Sequence, residues 1–166
     1  MMWGITVILA IVMMIGYFLI LWGAVGFIQN KKLFSSAHEK IKERIEDHEE
    51  RFTGQHLLGY KLVILGILML VLPVFYGLYD GIKNNIGYIM ISVRILVMLV
   101  ALEIYDILFF DWFLLCHSNF FPHYYPEIKD IVGPQLFGYN MKNHIIHIIA
   151  YIIFSFLISL ITFFFN

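Results

Sequence analysis

Glu103 and Asp106 lie three residues apart in an apolar run, Arg94 to His117, that also carries Asp111. Residues three apart share a helix face, so both carboxylates point the same way, while Asp111 turns well away in a regular α-helix. His144 and His147 repeat the three-residue spacing at the start of the last apolar stretch. Two carboxylates from one helix and two imidazoles from another form an oxygen–nitrogen donor set suited to a divalent cation. Glu103, Asp106, His144 and His147 are therefore the expected metal ligands. Two acids held close in a low dielectric can also share a proton, because both cannot easily ionise, and that would make a relay. Helical bundles that bind metals usually carry Glu-x-x-His on a single helix, and that motif does not occur here. Polar side chains at span ends also mark the boundary with water, so a purely structural reading stands beside the chemical one.

Other residues offer different chemistry. In a membrane enzyme, Asp106 or Asp111 would act as acid or base with His117 as its partner. Asp111, Cys116, His117 and His123 are potential zinc ligands, but adjacent ligands rarely converge on one ion and no zinc spacing is present. Haem would need two axial imidazoles, and His56 or His117 facing His144 or His147 is the one pairing the expected helix ends allow. Arg94 falls about 12 Å inward from Ile86 along a helix. An intramembrane arginine calls for a partner, and Asp80 is the best one available. Phosphate-binding glycine loops, H-E-x-x-H and G-x-S-x-G are all missing from the sequence.

The elements that must position these groups are spans. Of 166 residues, 61% are hydrophobic and 14% charged, against roughly 45–50% and 25% in soluble domains. The excess falls in four blocks, residues 3–28, 57–79, 86–115 and 144–165, each long enough to cross a bilayer core of about 30 Å. The expected fold is an all-α integral membrane bundle of four transmembrane helices. It forms a single membrane domain, with connectors at 29–56 and 117–143. Eleven basic against twelve acidic residues leave a net charge of −1 and no basic surface for nucleic acid. The single cysteine, Cys116, excludes an intrachain disulfide and a CxxC centre.

Within the spans, Gly16 and Gly23 are seven apart and share a face where another helix can approach closely. Pro73 predicts a kink, and residues 80–85 predict a tight turn. The first block has no basic leader and no A-x-A site, so it reads as a retained anchor. In the first connector, Ser36 and Glu39 have capping-box spacing. They predict a charged, solvated helix with Ile41, Ile45, His48 and Phe52 on one face and Gly54 at its end. The second connector, rich in proline and aromatics, is expected to fold back over the bundle mouth. Lys31, Lys32, Lys40, Lys42, Arg44, Arg51, Lys129 and Lys142 all lie in the connectors. That bias puts both connectors in the cytoplasm and both termini outside, in the plasma membrane of a prokaryote.

Three functions suit these features. One is a transport-associated or accessory membrane protein whose acid–histidine cluster binds a cation or relays protons. Another is a membrane enzyme acting on a lipid-soluble substrate at the inner interface. The third is a structural partner in a larger complex, by homo-oligomerisation or with a partner subunit, using the Gly16–Gly23 face.

Overall fold

The computed structural model describes residues 2–34 and 37–164. The first helix, α1 (Met2–Trp22), widens into a π-helical segment, Gly23–Ile28. A short α2 (Glu39–Arg44) follows, then the long α3 (Gln55–Lys83). The next helix, α4 (Tyr88–Tyr105), runs on into a second π-helical segment, Asp106–Leu115. After the brief α5 (Phe120–Tyr124), α6 (Met141–Ser159) tightens into a 3₁₀ turn, Leu160–Phe164. The fold is 80% helical with no strand among the described residues.

Three helices are long and apolar enough to cross a membrane: Met2–Ile28, Gln55–Lys83 and Met141–Phe164. Their outer faces expose Val7, Ile8, Ile64, Leu72, Ile153 and Leu157. Apolar surface on that scale suits lipid rather than water. Helix α4 buries Ile91, Ser92, Arg94, Ile95, Met98 and Glu103 on one side and exposes Ile89, Val97 and Ile104 on the other.

Glycine brings α1 and α3 together. A Cβ on Gly16 would stand 2.6 Å from Met69 Cβ, and one on Gly23 would stand 2.8 Å from Gly59 O. Gly59 and Gly66 reciprocate, so two glycine pairs with the same seven-residue spacing let the backbones touch. The Gly16–Gly23 face is thus covered within the chain by α3 and is not free for a second subunit. Met13, Val74, Leu78, Ile95, Met98 and Leu102 fill the interior beside this seam.

Deeper in, Arg94 is fully buried. Its Nη1 donates to Asp80 Oδ2 at 2.7 Å and to Gly77 O at 3.2 Å, which is the partner expected from the sequence. The expected turn at 80–85 is shorter than its boundaries suggested. Helix α3 continues to Lys83, and Asn85 takes the positive φ that reverses the chain.

The connectors differ most from expectation. Ser36, the expected cap, lies outside the described residues, as does residue 165 at the expected end of the last span. The cap of α2 is His38, whose side chain accepts from Lys40 N. The helix ends at Arg44 because Ile45 turns extended, and Gly54 opens α3 instead of closing α2. Rather than lying along a solvated helix, Ile41 and Ile45 are buried in a second core with Phe34, Tyr125, Ile128 and Leu136 from both connectors. His48 follows the helix and meets Glu127 at 3.2 Å, whereas Phe52 stays exposed. Burial within this core pushes the Tyr125 phenol above its ordinary range.

This second core closes one end of the helices. Arg51 Nη2 donates to Gly26 O at 2.6 Å and Gln55 Nε2 to Phe27 O at 2.8 Å. Both bonds satisfy carbonyls that the end of the first helix would otherwise leave bare. Gln29 Nε2 then reaches Tyr124 O at 3.0 Å, tying the first connector to the second.

Candidate functional site

The change of helix type after Tyr105 builds the site. A π-helix bonds residue i to i+5 and winds more widely than an α-helix, so residues five apart come onto the same side. Asp106 and Asp111 are five apart, and both face α6 from this segment. In a regular α-helix Asp111 would have turned away, and that expectation is corrected by the wider winding. Such segments in α-helices frequently accompany functional sites.

On α6, His144 sits between two carboxylates. Its Nδ1 lies 2.7 Å from Glu103 Oε1, and its Nε2 lies 2.8 Å from Asp111 Oδ2. Asp106 Oδ2 is 3.8 Å from the same Nδ1. One turn along, His147 Nδ1 is 3.1 Å from Glu103 Oε1. Glu103 and His144 are almost wholly buried, whereas the His147 side chain is 48% exposed. One ligand atom each from Glu103, His144 and His147 fall within 4.8 Å of one another. The structure therefore gathers all four residues expected from spacing and adds Asp111.

Proton counting limits what His144 can do. A neutral imidazole has one N–H, and a carboxylate only accepts. His144 serves Glu103 and Asp111 together only as an imidazolium, or with one of the two acids protonated. The neutral tautomer protonated at Nε2 donates to Asp111 and turns the Nδ1 lone pair toward Glu103 and His147. A cation held among Glu103, His144 and His147 selects that form. Asp111 then orients the ring from behind, as carboxylates behind metal-bound histidines commonly do.

The site has a way in from the connector side. A cavity of about 160 Å³ reaches Asp106 and Asp111 past Tyr17, Leu21, Tyr139 and Asn140. Burial and the neighbouring Asp111 and Asp106 carboxylates push the Tyr139 phenol above its usual range, so it stays a neutral hydroxyl. Nothing in the sequence periodicity marks Tyr139, which comes from the turn before α6.

The other constellations do not assemble. His117 bonds Trp112 O through Nδ1 at 2.7 Å and lies against the Trp112 ring. With Asp111 committed to His144, the Asp111–His117 acid–base pair has no partner to join. Cys116 is buried in the connector core and His123 lies exposed beside Tyr124. The zinc set of Asp111, Cys116, His117 and His123 is therefore dispersed. For haem, His56 stands 3.7 Å from Glu50 at the start of α3, while His144 and His147 face Glu103, so the axial pairs are not formed. The backbone N–H groups of His56 and Gly54 hold Glu50 below the usual carboxylate range.

Compared with known proteins, the chain matches no family model, no curated protein and no solved structure.

Proposed function

We propose that this is an integral membrane protein that binds one divalent transition-metal cation at the connector end of its helices, in a transport-associated or accessory role. The observation that carries the reading is the convergence of one ligand atom each from Glu103, His144 and His147 within 4.8 Å of one another. Asp106, whose Oδ2 is 3.8 Å from His144 Nδ1, is the candidate fourth donor, and two nitrogens with carboxylate oxygens suit zinc, manganese or iron. In this reading α4 with its π-helical continuation is the fourth span. The excess of basic residues in both connectors supports a cytoplasmic side for the site and for the cavity that reaches it.

Titration of the detergent-purified protein with Mn²⁺ and Zn²⁺ by calorimetry, with metal counting by mass spectrometry, tests this. One equivalent should bind, and Glu103→Gln or His147→Ala should weaken binding at least about tenfold. A helical, monodisperse protein that binds neither ion, or variants that bind as tightly as the wild type, would overturn the proposal. The position of His144 between two acids supports proton relay as a second reading. That reading expects pH-dependent protonation of His144 with no metal dependence.

A further inference from the structure

Two cavities on the connector side share a wall. An open vestibule of about 510 Å³ is bounded by His38, Glu39, Lys42 and Asn143, together with Ala37, Tyr139 and Asn140. Ala37, Tyr139 and Asn140 also line the inner cavity of about 160 Å³, which Asp106 and Asp111 line as well. The vestibule and the inner cavity therefore meet at those shared residues, and the inner cavity ends on the cluster. Asp106 Oδ2 is 3.8 Å from His144 Nδ1, and Asp111 Oδ2 is 2.8 Å from His144 Nε2. Tyr139 is the largest side chain at the junction. Its ring meets that of His38 edge-on at 5.6 Å and packs in part against the connector core.

Other approaches to the cluster are apolar. Along α4 from Glu103 toward its start, Leu102, Leu99, Met98 and Ile95 are all buried. The His147 side chain is 48% exposed, but Ile145, Ile146 and Ile149 around it on α6 expose only hydrocarbon. A charge in the bilayer core costs at least about 2.5 kcal/mol, which disfavours entry from that side. The path past Tyr139 is the one with carboxylates, phenols and an amide along it.

The inner volume restricts the form in which a metal can pass. At about 30 Å³ per water, 160 Å³ holds roughly five waters. A cation with a full octahedral shell of water does not fit intact. An organic chelate with its metal is larger still, since about 150 Å³ is filled by one benzene. The cation must shed part of its shell at the junction, where Asp106 and Asp111 offer oxygens in exchange.

We infer that the two cavities form one aqueous route that loads the cluster with the free, partly dehydrated cation, and that Tyr139 sets the width and hence the rate of that route. This rests on the metal-binding reading and adds to it the form of the metal that is accepted and the side chain that controls its passage. Tyr139 is a positioning residue of the path and not a ligand, so it acts on binding and release alike.

The test measures Mn²⁺ affinity by calorimetry and Mn²⁺ release into a fluorescent chelator by stopped flow, on the full chain in detergent. Tyr139→Ala should speed release at least about tenfold while Kd stays within about twofold, because a wider passage raises both rate constants by one factor. Ala37→Phe, which narrows the same junction, should slow release at least about fivefold, again at constant Kd. Tyr139→Phe, which keeps the ring, and Ile149→Phe, on the exposed face of α6, should release as the wild type does. With citrate present, loading of the wild type should follow the concentration of free Mn²⁺ and not that of the complex. Unchanged release in both Tyr139→Ala and Ala37→Phe, a Kd that moves as far as the release rate, or loading that follows the citrate complex overturns the inference and leaves the metal site standing. Should Tyr139→Ala fail to fold, Ala37→Phe and the citrate measurement decide alone. Failure of the wild type to bind Mn²⁺ overturns the functional reading itself, and calorimetry shows it before any rate is measured.

Discussion

Removing the carboxylate of Asp80 exposes how the buried arginine is held. In Asp80→Ala, Arg94 loses its 2.7 Å ion pair and keeps one Nη1 bond to Gly77 O. The guanidinium has no exposed surface and the Asp80 side chain is only 12% exposed, so water cannot readily replace the lost partner. Breaking a buried pair from one side costs about 3–5 kcal/mol. The surviving Gly77 bond places this case near about 3 kcal/mol, since a hydrogen bond to a charged group is worth roughly 1.5–3 kcal/mol. At about 2–4 °C per kcal/mol for a chain of this length, the thermal midpoint should fall by roughly 6–12 °C. A thermal scan in detergent following helical ellipticity measures it. The double variant Asp80→Asn with Arg94→Met, which removes both charges, should recover most of the loss, because an apolar replacement of a buried pair is often neutral. A midpoint for Asp80→Ala within 2 °C of wild type, or a double variant as unstable as the single one, would refute the reasoning.

Other perturbations probe the site and the seam. Asp111→Asn removes the charge behind His144 and should weaken metal binding about 10–100-fold while the fold melts as before, read by calorimetry and a thermal scan. Gly66→Val forces backbone apart where a Cβ would already meet Gly16 O at 2.5 Å. It should cost more than the roughly 1–3 kcal/mol of ordinary overpacking and be seen as aggregation or poor yield of monodisperse protein.

Much of the helical plan could be read from hydropathy, because a span is a long, uniform signal. The pairing of Arg94 with Asp80 was equally legible, since a buried charge leaves few choices of partner. The carboxylate–histidine cluster followed from spacing: residues three apart share a face whichever neighbour they meet. Asp111 escaped that logic because α-helical periodicity assigns it the wrong side, and nothing in residues 106–115 announces the wider turn. The first connector misled for another reason. Its charges satisfy a helical pattern locally, but burying Ile41 and Ile45 against Tyr125 and Ile128 favours an extended exit after Arg44. The glycine face was visible in sequence, whereas its partner, α3, was a matter of tertiary arrangement.

The two imidazoles ride on the least anchored helix. Only 17% of the apolar window of α6 is buried, against 28% for α1 and α3, and α4 is its principal neighbour. Whatever grips His144 and His147 together with Glu103 therefore also clamps this helix to the body of the protein. Occupancy and helix attachment draw on one free energy, so a filled site must slow amide exchange and proteolysis along α6, and loosening α6 must by the same amount release what the site holds.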